Sequence, residues 1–453
     1  MCAVADVDLV IVGSGSGNSI LTPDLDDWTV VIAERGTFGG TCLNAGCIPS
    51  KMLVLPADRV VEAAESARLG VTFDAPTVDW PAIRDRLFAR IDPISAGGLE
   101  YRKGLDRVRV IEGEARFVGE RRLRIGDDEV SAEQVVIAAG ARPYVPPVPG
   151  LADVPFHTSD TIMRIDTLPE HLVILGGGYI AAELGHVFAA LGSRVSIVHR
   201  GDRLLRHEDD DVSARFTEAF GRHAFLHLNA DPERIAYTGG EFTVTLDDHE
   251  IQADALLVAT GRIPNGDQLD VELAGVARSP AGYVLTDDEL RTSAPGVWAI
   301  GDVRNPLQLK HLANHEAEVV AHNLVHPESL RSIDERVVPH AVFSHPQVGS
   351  VGRREVELRA AGVPYRVGRR DYGGVAYGWA LEDEVGFAKV LIDPDTRQIL
   401  GGHVIGAQAA TLVQQLVQAM QFEIPADRLA REQIWCHPAL SEVVENALLD
   451  ALD

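Results

Sequence analysis

The chain has 453 residues, 46% of them hydrophobic and 24% charged, with a formal net charge of −26. That length allows about three domains of ~100–200 residues each. The negative charge argues against DNA or RNA as a partner, because nucleic-acid affinity rests on neutralising phosphates with Lys and Arg.

No apolar run approaches the ~18 residues that would suggest a membrane span. The N-terminus lacks a basic or apolar targeting segment, so a cytoplasmic location is the expectation. Cys2, Cys42, Cys47 and Cys436 are too few for a secreted disulfide scaffold. A pair five positions apart in a cytosolic chain suggests redox chemistry or metal binding. Only four of the 41 basic residues are Lys.

In chain order, a strand-like run, Leu9 to Val12, leads into Gly13-Ser14-Gly15-Ser16-Gly17-Asn18, and a second run, Thr29 to Ala33, ends at Glu34. Strand, Gly-rich turn, helix and strand make the unit that binds dinucleotides. Gly13 permits the tight turn, Gly15 the close approach of a pyrophosphate, and Glu34 is the acid expected about 20 positions on for ribose hydroxyls. The unit is imperfect: Asn18 takes the third glycine position and Pro23 interrupts the following helix.

Next comes Gly39-Gly40-Thr41-Cys42-Leu43-Asn44-Ala45-Gly46-Cys47-Ile48-Pro49-Ser50-Lys51. Its cysteines can close a small-loop disulfide that opens and shuts. Without a second cysteine pair they lack the ligands of a tetrahedral zinc site. His311 and His315 have helical spacing but nothing orients them toward the pair, so they read as helix residues near a cofactor and no metal site is expected.

Val135 to Ala138 is a further strand, ending in Ala139-Gly140, and Pro143 to Pro149 reads as an extended linker. The dinucleotide pattern then recurs: Leu172 to Leu175, the turn Gly176-Gly177-Gly178-Tyr179-Ile180-Ala181, a helix to Leu191, the strand Arg194 to Val198 and a closing strand that ends in Ala259-Thr260-Gly261. Two copies predict two nucleotide sites. After the strand at 194–198 stand Arg200 and Arg206, where a 2′-phosphate needs arginine and a bare ribose would favour an acid. The second site is therefore expected to take NADPH. A boundary falls near Asn265 to Gly275. A short strand then ends in Gly301-Asp302. Beyond about Arg336 come mixed strands and helices, including an amphipathic helix from Thr411 to Phe422 and the segment Cys436 to Leu449.

The stretch Gly39 to Lys51 resembles the active-site segment of the flavoprotein disulfide reductases, relatives of glutathione reductase and lipoamide dehydrogenase. The resemblance runs through essentially the whole chain in order. It takes in both Gly-rich turns, Gly113-Glu114-Ala115-Arg116-Phe117, Ala259-Thr260-Gly261-Arg262, Gly301-Asp302 and His437-Pro438-Ala439-Leu440-Ser441-Glu442. It implies an α/β fold of two Rossmann-like dinucleotide-binding domains and a C-terminal α+β dimerisation domain. The expected boundaries are 1–150 and 269–335 for the two segments that bind FAD, 151–268 for NADPH and 336–453 for the interface. It also implies FAD and NADPH as cofactors, a homodimer and a small-molecule disulfide as substrate.

FAD would then lie against Gly13, Gly15, Glu34, Gly40, Thr41, Lys51, Ala115, Gly140, Gly301 and Asp302. NADPH would lie against Gly176, Gly178, Tyr179, Ile180, Ala181, Arg200, Arg206 and Gly261. Cys47 would be the charge-transfer thiol facing the flavin and Cys42 the interchange thiol. Lys51 and Glu183 resemble the pair near flavin and nicotinamide. His437, held by Glu442, would be the acid/base, reaching the site from the other subunit. Cys2 and Cys436 are expected to be inert.

Within the family, the segments 13–19, 157–161, 205–207, 371–380 and 435–440 resemble the mycothione reductases. This makes NADPH-driven reduction of mycothione the expected function, with Tyr372, Tyr377 and Trp379 as flat surfaces for an uncharged sugar disulfide. Lipoamide dehydrogenases share Cys47-Ile48-Pro49-Ser50-Lys51 but use NAD; a glutathione-type reductase and a non-catalytic redox-sensing flavoprotein are the other readings.

Overall fold

A strand that is apolar at nearly every position needs both its faces covered, which parallel sheets flanked by helices provide. Val7–Val12 is such a strand, as is Val30–Glu34. The structure, a computed structural model, describes residues 6–453; Cys2 lies outside the described residues. The chain divides into two compact units.

The first unit takes the described residues up to Pro49, with Asp85–Tyr144 and Gly261–Asp334. Its sheet has seven strands. Val7–Val12 pairs in parallel with Val30–Glu34 on one side and Asp128–Ile137 on the other. Val108–Glu112 extends the sheet in parallel beyond Val30–Glu34, and Val297–Ala299 pairs in parallel with the end of Asp128–Ile137. An antiparallel meander, Ala115–Gly119, Arg122–Ile125 and Asp128–Ile137, completes it. Carboxyl ends of the parallel strands converge at Gly13 and Ala138, where nucleotides bind in open α/β sheets. Pro23 does stop a helix: Ser16–Ile20 and Pro23–Leu25 are only 3₁₀ turns.

The second unit takes Ser50–Arg84, Val145–Thr260 and Glu335–Asp453. It holds a parallel sheet in the order Phe225–Leu228, Arg194–His199, His171–Leu175, Ala255–Val258, with a three-stranded antiparallel sheet over 234–253. The helix Tyr179–Leu191 follows the second Gly-rich turn, its Ala181 to Phe188 run buried. A five-stranded antiparallel sheet spans 340–405, and Ala409–Gln421, Ala426–Glu432 and Ser441–Leu452 pack on it through a common apolar core.

Candidate active site

Cys42 sits in the short helix Gly40–Asn44, and Cys47 is the first residue of the helix Cys47–Glu65. Gly46 makes the link possible. A Cβ there would lie 3.0 Å from the Thr41 carbonyl oxygen and 3.3 Å from Cys42 Cα, so a side chain at this position would crowd the loop where it folds back. A thiolate at Cys47 gains from the unpaired N–H groups of the helix start. Both thiols are unlinked. A hydrogen bond to Cys47, and then burial, push the Cys42 thiol well above the ordinary range.

The first Gly-rich turn meets this segment backbone to backbone. Gly13 has φ +107° and a Cβ there would lie 2.4 Å from the Ala138 oxygen; one on Gly40 would lie 2.6 Å from Gly15 Cα. Glu34 is tied in as well. Its Oε2 accepts from Ser14 N at 2.9 Å and Ser14 Oγ at 2.6 Å, its Oε1 from Gly36 N at 2.8 Å, and Ser14 Oγ accepts from Gly39 N at 2.8 Å. Thr41 lies in the same short helix as Cys42. Asn18, the departure from the glycine pattern, accepts from Arg102 Nε at 2.8 Å through its side chain and from Arg102 Nη2 at 3.0 Å through its carbonyl.

Ala115 is buried in its strand. Gly140 and Gly261 take positive φ, and the Gly140 carbonyl accepts from the backbone of buried Asn265 at 3.0 Å. Gly301 opens a 3₁₀ turn that carries Asp302. Fully buried Glu316 accepts from Gly301 N, pairs with Arg304 at 2.6 Å and accepts from Asn305 at 3.2 Å, which holds that turn rigid. Burial pushes the Asp302 carboxyl up, against the charges of Arg262 and Lys310. Lys310 was not among the sequence candidates; it donates to Ser16 Oγ at 2.9 Å. A Gly-rich turn feeding open N–H groups, a clamped acid and a buried turn at Asp302 fit the pyrophosphate, ribose and ribityl groups of FAD.

The second turn repeats the first: Gly176 has φ +122°, and a Cβ there would lie 2.2 Å from the Ala259 oxygen. Gly178 caps the helix Tyr179–Leu191, which has no side-chain cap and no acid in its first turn, while Tyr179 is exposed, Ile180 half-buried and Ala181 buried. That leaves its N–H groups available to an anion. His199 ends its strand as Glu34 ends the equivalent one. Burial, then the charges of Arg206 and Arg200, hold its imidazole below its usual pKa. Those two arginines are exposed and make no hydrogen bond or ion pair among the described residues, so both guanidiniums remain available to a 2′-phosphate.

Lys51, one turn after Cys47, donates to both oxygens of buried Glu183 at 2.7 Å, and Phe343 N donates to the same carboxylate at 3.0 Å. His437 Nδ1 meets Glu442 Oε1 at 2.8 Å, while Glu442 Oε2 accepts from Ala439 N at 3.0 Å. The His437 hydrogen bond holds the Glu442 carboxyl low, which fixes the imidazole orientation. One aromatic expectation fails. Tyr372 is fully buried, its hydroxyl donating to the Ala407 carbonyl at 2.8 Å, because it fills the core of the five-stranded sheet; Tyr377 and Trp379 are exposed.

Among the described residues no cluster of three or more His, Cys, Asp or Glu is placed to hold a metal ion, and no helix is long and apolar enough to cross a membrane.

Residues 7–317 match the family model described as pyridine nucleotide-disulphide oxidoreductase, and residues 338–448 match the dimerisation domain of the same family. The chain is 47% identical to the mycothione reductase of Mycobacterium tuberculosis over 98% of both proteins. It is 32% identical to a dihydrolipoyl dehydrogenase of Haloferax volcanii, over 98% of this chain and 96% of that one. The structure of the HOCl-induced flavoprotein disulfide reductase RclA from Escherichia coli, solved as a copper(II) complex, superposes with a TM-score of 0.86 at 29% identity, covering 98% of this chain and 99% of that one. The chain belongs to the pyridine nucleotide-disulphide oxidoreductase family, whose members work with FAD and NAD(P)H.

Proposed function

We propose that this protein reduces mycothione to mycothiol with electrons from NADPH, in the cytoplasm and as a homodimer. The observation that carries the reading is the Cys42–Cys47 pair: two thiols on a closed loop, Cys42 half-buried with its thiol pKa raised by its contact with Cys47, and Cys47 exposed at a helix start. The 47% identity to a mycothione reductase supports the choice of substrate, and Arg200 and Arg206 support NADPH.

Bound FAD would carry electrons from the nicotinamide to the disulfide. The residues do the rest. Two electrons and one proton open the Cys42–Cys47 disulfide to a Cys42 thiol and a Cys47 thiolate. His437 of the partner subunit takes the Cys42 proton, and Cys42 attacks one sulfur of the substrate. The first thiol leaves with the proton from that imidazole. Cys47 then attacks Cys42, its disulfide re-forms, and the second sulfur leaves as thiolate to take a proton from solvent. One NADPH and one proton are consumed for two thiols released.

A disulfide panel with NADPH, followed at the nicotinamide absorbance, tests this. Mycothione, or a truncated analogue keeping the amino-sugar, should turn over well, and glutathione disulfide and lipoamide poorly. Efficient use of glutathione disulfide beside negligible use of mycothione would sink the substrate claim. Failure with every disulfide would favour the non-catalytic flavoprotein.

A further inference from the structure

The two nucleotide folds correspond residue by residue at their Gly-rich turns. Val12 pairs with Ala33 and Leu175 with Val198; Gly13 N donates to the Ala33 carbonyl at 2.8 Å and Gly176 N to that of Val198 at 2.9 Å. This register makes Gly177 the counterpart of Ser14, His199 that of Glu34 and Gly201 that of Gly36. In the first fold the Glu34 carboxylate accepts from the amides of Ser14 and Gly36. In the second an imidazole takes its place. A Cβ on Gly177 would lie 2.6 Å from His199 Cγ, and one on Gly201 2.7 Å from His199 Nε2, so the ring fills the space between the turn and the end of its own strand.

Backbone hydrogen bonds gather cations around that ring. Leu205 N donates to the Gly177 carbonyl at 2.7 Å, which sets Arg206 beside the glycine that the imidazole touches; Arg200 follows His199 directly. On the other side Ala230 N donates to the His199 carbonyl at 3.1 Å and Asn229 N to that of Gly201 at 3.0 Å. His199 Nε2 is buried with no hydrogen-bond partner, and a buried polar atom is rarely left so unless a function uses it. Burial, then Arg206 and Arg200, disfavour a charged ring; Asp231 and the Arg203 backbone favour it to a lesser degree.

We propose that His199 is a third, specificity-determining member of the NADPH site: it replaces the acid that would hold a bare ribose, and it takes up a proton when a 2′-phosphate settles on Arg200 and Arg206. This rests on the NADPH reading. Two guanidiniums keep the ring neutral. A dianion bound to them cancels their charge and makes the imidazolium favourable. The proton comes from solvent, and the one new covalent bond is N–H. A cofactor without the phosphate leaves the ring neutral. Affinity for the phosphorylated cofactor is therefore greatest at low pH and falls as pH rises toward the pKa that the ring has in the complex.

The test uses the FAD-loaded protein with 2′,5′-ADP as the probe and 5′-AMP as its control, neither of which can pass electrons to the flavin. Titration calorimetry at pH 7.5, where free phosphate monoesters (second pKa about 6) are almost wholly dianionic, is run in buffers of different ionisation enthalpy. Binding of 2′,5′-ADP should take up about half a proton more than binding of 5′-AMP, and its affinity should fall about threefold per pH unit around that pH. His199→Gln and His199→Asn, which cannot titrate, should abolish both effects. His199→Glu should weaken 2′,5′-ADP by about tenfold through like-charge repulsion and leave 5′-AMP unweakened.

Equal proton counts for the two probes in the unaltered protein, a result that needs no variant, would overturn the assignment, as would an uptake that survives in the Gln and Asn variants or an equal loss of both probes in His199→Glu. The NADPH reading would still stand. If the unaltered protein instead bound 5′-AMP as tightly as 2′,5′-ADP, that reading would fall and the assignment with it.

Discussion

Cys42 and Cys47 carry the same side chain, and the backbone makes them chemically different. Cys47 is exposed at the start of a 19-residue helix, whereas Cys42 is half-buried and its hydrogen bond with Cys47, then burial, raise its thiol pKa. Cys42→Ser should leave a thiolate at Cys47 and a standing long-wavelength band, with disulfide turnover down by about a thousandfold or more; Cys47→Ser should abolish the band. Absorbance spectra of the two purified variants decide, and matching spectra would refute the division of labour. The spacing of the pair was legible in the sequence. The close approach at Gly46 was not. Asn18 looked like a defect because its partner, Arg102, is 84 positions away.

Strands and helices repeat the lesson. The two strand–turn–strand patterns were readable because near-continuous apolar runs stop at glycine. The strand Phe387–Ile392 defeats pattern reading: all six positions are buried, including Lys389. Its ammonium donates to Asp209 at 2.8 Å, Asp211 at 2.8 Å and Glu355 at 2.7 Å. Burial opposes that charge, and these three hydrogen bonds outweigh it, so its pKa is raised. Asp209 also caps the helix Asp210–Phe220, three residues past Arg206. Lys389→Met would leave buried Asp209 without its cation, at a cost of roughly 3–5 kcal/mol, visible as a lower midpoint of thermal or guanidinium unfolding. Because the loop bearing Arg206 is pinned through Asp209, KM for NADPH should rise more than kcat falls. An unchanged midpoint would show that the cluster contributes nothing to stability.

For the whole molecule, the segment between Ala426–Glu432 and Ser441–Leu452 is the telling one. Ile434 is 97% exposed there, and the His437 side chain 72% exposed, an arrangement suited to being covered by a partner subunit. If His437 serves the partner's thiols, mixing inactive Cys42→Ser with inactive His437→Gln chains after dissociation should restore activity. Half the dimers would be mixed, each with one intact site, giving about a quarter of the unaltered rate. A mixture that stays inactive would mean that His437 and the thiols work within one chain. On the shared-site reading, chain concentration becomes a control on the chemistry. Diluted past its association limit, the protein would keep its nucleotide sites and its thiols and lose its proton donor, so specific activity itself would fall with dilution.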